Sequence, residues 1–286
     1  MKKELSVSNP KIPSALTIAG SDSGGGAGIQ ADLRTFSAMG VFGTSAITAI
    51  TAQNPLGVYH VESVSPEGIA AQLKAVFQAF DLSAIKTGML FSCETIEVIA
   101  DFLSQVKIPV VVDPVMVSTS GSKLLCDDAL EMLQQKIFPL AHWLTPNIPE
   151  AELLSGMSIQ TEEDCWTAVS KIAESCSCSV ILKGGHAETF EYANDYVITS
   201  SGKKFILSAK RVPIQPYASH GTGCTLSSAM AAQIALNKQP HEILLNAKTF
   251  VLESLIQSRF AGTADNQIHV MFPPEKIQST VTIQEV

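Results

Sequence analysis

Three groups of residues have the types and spacing to do chemistry. The stretch His220-Gly-Thr-Gly-Cys224 sets two glycines around a threonine at the start of a run of small residues. If a helix begins there, the free amides of residues 221 to 224 point into one concavity at the positive end of its dipole. Such a turn holds an anion, and it suits a phosphoryl group that gathers negative charge in transfer. Cys224 stands in the first turn of that helix, where the dipole is expected to lower its thiol pKa. From spacing alone it could be a covalent nucleophile, a proton acceptor or a plain buried thiol. His220 precedes the turn, and no signature makes a triad of the two.

The second group lies in Leu16–Phe36, LTIAGSDSGGGAGIQADLRTF, where five glycines separate an apolar run from an amphipathic one. Gly26-Ala-Gly28-Ile-Gln-Ala31 fits the G-x-G-x-x-A form of the dinucleotide fingerprint. That fingerprint also needs an acid at the end of the second strand to hold a ribose. Here the second strand ends in Gln53-Asn54, so the nucleotide reading is disfavoured. A Walker A loop is absent from the sequence. The third group is polar and falls just beyond the expected strands: Ser21, Asp22, Gln53, Asn54, Asp113, Asn147 and Lys183. Ligands of open α/β sheets bind at that edge.

Positioning these groups requires a regular frame, and the sequence supplies one. Expected strands at Ala15–Ala19, Ser45–Thr51, Ala84–Thr87, Val110–Asp113, Trp143–Thr145 and Val180–Lys183 alternate with segments of helical period. The helices are expected at Ala27–Met39, Pro66–Phe80, Cys93–Val106, Asp127–Ile137 and Glu162–Glu174, followed by the small-residue helix after Gly221 and an amphipathic one at LLNAKTFVLESLIQ. This alternation implies a mainly parallel sheet with helices on both faces, a three-layer α/β/α fold. Tyr196–Ala209 instead reads as a β-hairpin at the sheet's edge. No linker or repeat divides the 286 residues, so one domain is expected, with a core of about residues 14–260 and peripheral tails at 1–13 and 261–286.

Bulk properties narrow the partners. A net charge of −8 with no Lys/Arg cluster argues against nucleic acid. The N-terminal MKKELSVSNPKIP has no apolar core of a signal peptide, and no apolar run nears the length of a membrane span. A soluble cytoplasmic protein is expected. Of six scattered cysteines only Cys176 and Cys178 are close, and they are expected to be plain thiols in a reducing compartment.

In order along the chain, AGSDSGGGAGIQADLRTFSAMG, TAITAQN, KTGML, VVVDPVM, TPNIPEAELL, ILKGGH and HGTGCTLSSA resemble the hydroxymethylpyrimidine/phosphomethylpyrimidine kinases of thiamine biosynthesis, within the ribokinase-like superfamily. The resemblance covers Ala15 to Ala235. It implies that the first glycine turn faces a pyrimidine rather than ATP, with the backbone at Gly20 close to the ring. Asp32 and Gln53 would read the ring's polar edge, while Met89 and Val115 would line its apolar faces. Asn147, Lys183 and, more loosely, Lys248 would meet ATP. Glu150 and Asp113 would hold Mg²⁺, mainly through water. Most of the superfamily carries Asp where this chain has Cys224, and the pyrimidine kinases are the branch with Cys. Gly221, Thr222 and Gly223 would form the anion hole, and Cys224 would take the proton of the substrate hydroxyl.

The implied reaction is ATP-dependent phosphorylation of 4-amino-5-hydroxymethyl-2-methylpyrimidine and then of its monophosphate. Pyridoxal or pyridoxine kinase is the nearest alternative. A non-catalytic nucleotide-binding module and a cysteine hydrolase are two more distant ones. Small-molecule partners are expected, and a homodimer by analogy alone.

Overall fold

A computed structural model describes residues 11–116, 125, 127–184 and 191–286. The chain enters through β1 (Ser14–Asp22), crosses by α1 (Gly28–Ala38) to β2 (Phe42–Asn54), and turns back along β3 (Gly57–Ser63). Three further crossovers follow: α2 (Pro66–Ala79) to β4 (Leu82–Thr87), α3 (Cys93–Leu103) to β5 (Val110–Val112), and α4 (Asp127–Met132) to β6 (Trp143–Leu144). The last of these widens into a π turn at Leu133–Ile137 and tightens into a 3-10 turn at Phe138–Leu140. Next come α5 (Ile148–Ser155), α6 (Glu162–Cys176) and β7 (Ser179–Leu182), then the hairpin β8 (Tyr192–Ile198) and β9 (Lys204–Lys210). The chain closes with α7 (Thr222–Ala235), α8 (Pro240–Ile256), a short pair β10 (Arg259–Phe260) and β11 (His269–Val270), and β12 (Val281–Glu285).

Ten strands form one sheet in the order β12-β9-β8-β7-β6-β5-β4-β1-β2-β3. The six from β7 to β2 run parallel, and the flanking pairs are antiparallel. Period-2 alternation divides the strand side chains between two cores. Leu16, Ile18, Ile85, Val110, Val112, Leu144 and Val180 join Ile69, Leu73, Ile96, Ile99, Val169 and Ile172 on the face of α2, α3 and α6. Ala15, Ala84, Val111, Trp143 and Ile181 join Phe36, Leu226, Ala229, Met230, Leu244 and Phe250 on the face of α1, α7 and α8. Each large side chain removed from water contributes about 1.5–3 kcal/mol to the frame.

The expected three layers are therefore present, with two differences at the margins. The hairpin is not the edge of the sheet, because β12 pairs with β9 outside it. The residues after 260 are thus not wholly peripheral, and the buried Glu253 of α8 accepts backbone N–H bonds from Gln278 (2.5 Å) and Ser279 to seat that strand. At the other end, β3 adds an antiparallel strand that is not among those expected, since GVYHVES alternates too weakly to stand out.

All parallel strands release their carboxyl ends on one side, and α7 points its N-terminus to the same side. The two glycine turns meet there. Gly221, the N-cap of α7, has φ +84, and a Cβ on it would lie 1.9 Å from the carbonyl oxygen of Gly26. Gly28 has φ +55, and a Cβ there would lie 2.3 Å from the carbonyl oxygen of Gly20. Gly202, in the hairpin at φ +82, has nothing near its Cβ position. Gly202→Ala should therefore cost only the left-handed backbone strain, about 1–2 kcal/mol. Gly221→Ala should cost at least about 1 kcal/mol more, because the added carbon overpacks a rigid backbone. Urea unfolding of the two variants compares them, and equal losses would show that the two turns do not press on each other.

Candidate active site

Asp22, the last residue of β1, organises the first turn. Its Oδ1 accepts the Gly24 N–H at 2.8 Å, and its Oδ2 accepts those of Gly26 (3.0 Å) and Ala27 (2.8 Å). The His220 Nε2 lies 3.0 Å from the same Oδ2. Burial works against the charge, but the bond from His220 and the Ala27 and Gly24 amides outweigh it and hold the carboxyl below its usual range. The His220 ring packs over Gly26, where a Cβ would approach its Cδ2 to 2.5 Å. His220 therefore ties the second turn to the first. Sequence reading set it aside for want of a triad; its partner, Asp22, lies 198 residues away in the chain, which no local signal reports.

The expected ring site is partly assembled. Gly20 presses on Met89, and a Cβ on it would lie 2.6 Å from the Met89 Cε. Met89 is buried and Val115 half-buried at the ends of neighbouring strands. Gln53 stands at the end of β2, with its Nε2 3.3 Å from the His220 Nε2 and its Oε1 3.3 Å from the Thr51 hydroxyl.

Asp32, expected from the resemblance to read the pyrimidine edge, is not brought to them in this structure. Its side chain has no exposed surface, and three donors fill it with four hydrogen bonds: Lys86 Nζ on both oxygens (3.0 and 2.8 Å), Thr17 Oγ1 (2.6 Å) and Ser228 Oγ (2.6 Å). The stripe of α1 that carries it faces α7 and the sheet, so its acid turns inward.

On the other side of the α7 N-terminus lies a cluster of charge. Lys183, just past β7, donates to Asp113 Oδ1 at 3.0 Å and stands 3.9 Å from Glu150. Asp113 also accepts from Thr145 (3.1 Å) and Ser227 (3.4 Å). A Cβ on Gly223 would lie 3.3 Å from the Lys183 ammonium and 3.4 Å from an Asp113 oxygen, so both groups flank the glycine turn. Burial opposes both charges. Lys183 nonetheless brings the Asp113 carboxyl below its usual range, while Asp113 and Glu150 raise the lysine above its own. Glu150, desolvated and beside Asp113, is pushed up to about 7.

Asn147 and Glu150 cap α5 reciprocally. The Asn147 Oδ1 accepts the Glu150 N–H at 2.9 Å, and the Glu150 Oε2 accepts the Asn147 N–H at 2.8 Å. The N-x-x-E spacing is thus also a capping box. Lys248 reaches the site only at second hand. Its ammonium is held by Asp195 at 2.7 Å, and Asp195 in turn accepts the Gly184 N–H at 3.0 Å, so the lysine braces the turn after Lys183. Gly185 of the same motif lies outside the described residues.

Cys224 sits between the two halves, with the Gly28 amide near its thiol. The expected lowering of its pKa is corrected. Burial, with Asp32 and Asp113 nearby, pushes it up to about 11 against the opposing Lys86 ammonium and the Gly28 amide. The helix end does not compensate for lost hydration. Cys176 differs: a hydrogen bond from Cys178 draws it down to about 7, so that pair is not wholly ordinary.

Among the described residues no helix is long and apolar enough to cross a membrane. A family model described as phosphomethylpyrimidine kinase matches residues 22–269. The Haemophilus influenzae protein named hydroxymethylpyrimidine/phosphomethylpyrimidine kinase is 44% identical over 247 residues, which is 85% of this chain and 91% of that one. Among solved structures, a phosphomethylpyrimidine kinase from Clostridium difficile is 41% identical with a TM-score of 0.74, covering 85% of this chain and 99% of its own. The pyridoxal kinase of Staphylococcus aureus in complex with pyridoxal is 29% identical with a TM-score of 0.84, covering 96% of this chain and 100% of its own.

Alkylation of the Cys224 peptide by iodoacetamide, followed by mass spectrometry, should rise about tenfold per pH unit between about pH 7 and about pH 10, because only thiolate reacts. Cys176 should level off near its lower pKa and serve as the internal reference. A Cys224 plateau below about pH 9 would show that the helix end stabilises the thiolate after all.

Proposed function

This chain belongs to the phosphomethylpyrimidine kinase family, and on that premise we propose that it transfers the γ-phosphoryl group of ATP to hydroxymethylpyrimidine and then to its monophosphate, in thiamine biosynthesis or salvage. The observation that carries the reading is the junction of the two glycine turns. It sets an amide-lined helix end, a thiol and the Lys183–Asp113–Glu150 cluster around one point at the carboxyl edge of the sheet.

In this reading Gly20, Met89, Val115 and Gln53 receive the ring, and Lys183 and Asn147 receive ATP phosphates. The amides of Gly221, Gly223 and Cys224 take up charge on the phosphoryl group in flight, while the Thr222 N–H, bonded to the Ser219 carbonyl at 3.3 Å, would have to turn from it to join them. Such a transition state is largely dissociative, so positioning and charge stabilisation outweigh base strength. Asp113 and Glu150 are oxygen donors of the kind a hard divalent cation takes, and their mutual repulsion is what such a cation relieves. They would hold Mg²⁺ mainly through water, and the bound ion would neutralise phosphate charge.

Cys224 has different work in the two steps. An alcohol must lose its proton before or as the phosphoryl group arrives; with the Cys224 thiol pushed up to about 11, the small thiolate fraction near neutral pH is the form that can accept that proton. A phosphate monoester has already lost its protons near neutral pH, since its second pKa is about 6. The second step needs placement but no base. The proposal extends to a cytoplasmic enzyme and a homodimer. The exposed Phe42–Phe80 stack, with Ile50 and Tyr59 along β2 and β3, supports the latter as an apolar sheet edge.

Pyridoxal remains a second acceptor to test, because the chain's backbone follows the Staphylococcus aureus pyridoxal kinase closely. With Asp32 buried, the ring-edge argument for the pyrimidine rests on Gln53, and the higher identity to named pyrimidine kinases supports it.

A coupled ADP-release assay with Mg-ATP on hydroxymethylpyrimidine, its monophosphate and pyridoxal tests the reading. Turnover on both pyrimidines with pyridoxal far weaker is expected, and a preference for pyridoxal would move the function to vitamin B6 salvage. Cys224→Ala should lower kcat on the alcohol by more than about tenfold and on the monophosphate distinctly less. Equal losses on both acceptors would make Cys224 a placing residue rather than a base.

A further inference from the structure

Lys86, in the K-T-G-M-L segment, has no part in the roles above, yet it is a charged side chain with no exposed surface. Its ammonium straddles Asp32 of α1. Thr17 of β1 and Ser228 of α7 fill the remaining acceptor positions, so donors from three elements converge on one carboxylate. Burying such a pair costs desolvation, and well-packed apolar residues of similar volume often serve stability as well or better. A charge kept there under that cost calls for a local reason. Ser228 is one helical turn beyond Cys224 and shares its face of α7. Gly88 leaves the space for the ammonium, since a Cβ on it would lie 2.9 Å from the Lys86 Nζ.

The charged groups around the thiol are few. Asp32 faces it from α1, Asp113 from the end of β5, and Lys86 from β4, with Lys183 beyond Asp113. Lys86 is itself faced by Asp32, Cys224 and Asp113.

We propose that Lys86 is a positioning residue of phosphoryl transfer: through Asp32 and Ser228 it holds the first turn of α7 in register with the first glycine turn, and its ammonium sets the charge around Cys224. A neutral strut in its place would keep the fold and lose the register and the field. The proposal rests on the junction being the transfer site, so one readout must not depend on turnover.

The test uses the full chain and three variants: Lys86→Met, Lys86→Met with Asp32→Asn, and Ser228→Ala. Thermal unfolding, kcat and KM for ATP and for the best acceptor, and the pH profile of Cys224 alkylation are measured for each. For the charge-neutral double variant, kcat should fall more than about tenfold with both KM values within about threefold. Its alkylation profile should move to higher pH, because the favourable charge is gone. Lys86→Met alone should move the profile further, since it leaves Asp32 unpaired. A folded double variant with kcat within about twofold of the parent and an unmoved alkylation profile would overturn the proposal. A raised acceptor KM with unchanged kcat would also overturn it, because that pattern belongs to a substrate-binding Asp32. If neither lysine variant folds, Ser228→Ala decides, since it removes one donor and keeps both charges. A kcat lowered at least about threefold at constant KM supports the strut, and an unchanged kcat overturns it. Should the parent turn over none of the three acceptors, the kinase reading fails while the alkylation shift still tests where Lys86 acts.

Discussion

Everything at the site depends on one contact without side chains: the backbone of the turn after β1 lying against the backbone of the turn before α7. The Gly26 carbonyl occupies the space where a Cβ of residue 221 would be. Gly28 curls under the Gly20 carbonyl and keeps its amide near Cys224. A side chain at either glycine would wedge the turns apart, and the helix end would no longer face the strand ends. Asp22 and His220 then fasten the joint from above, and Asp32 with Ser228 fastens it from below. The glycines in the first motif therefore serve the approach of protein to protein as much as the approach of a ligand.

Charge is distributed around this joint by depth. Lys183, near the surface of the cleft, sits between two carboxylates that compete for it, and a buried Glu150 pushed up to about 7 marks a place short of positive charge. Lys86, fully enclosed, is matched by a single carboxylate and is pinned. In the proposed function the outer cluster would rearrange around phosphate and cation, since Lys183 is held at 3.0 Å by one partner and stands 3.9 Å from the other. The inner pair cannot rearrange without breaking four hydrogen bonds out of reach of water. A cleft that must accept and release a highly charged nucleotide gains from that division into a movable and a fixed layer.

The fold was legible because its signals are local and repeated. Val110–Val112, Ser179–Leu182 and the Cys93–Leu103 helix follow from apolar periodicity and caps, as does the order of strand and helix that makes the sheet parallel. The weakly alternating β3 and the five-residue β12 do not stand out in the sequence, because a short edge strand is stabilised by its neighbour and leaves little pattern of its own. The residue types of the site were legible too. The turns at Gly20–Gly28 and His220–Cys224, the strand-end Asp113 and Lys183, and the Asn147–Glu150 spacing all emerge from sequence order and strand position.

Only the tertiary structure decided how those residues are used. Asp32 looked available because acids suit the start of a helix, but three distant donors claim it, and long-range pairing leaves no trace in local spacing. Lys248, which the resemblance puts loosely at the nucleotide, is held by Asp195 in this structure. Cys224 was expected to ionise readily from its place on a helix end. Depth reversed that, since the field of one helix end weighs less than the hydration lost when a thiol is enclosed. His220 and Lys86 stand inside the HGTGC and KTGML segments, yet nothing in those segments assigns either a role. The sequence by itself determined the sheet, its polar edge and the two turns, because each is written in neighbouring residues. Which carboxylate is free, which thiol is charged and which lysine is locked depend on pairs as far as 198 residues apart, and only packing brings those together.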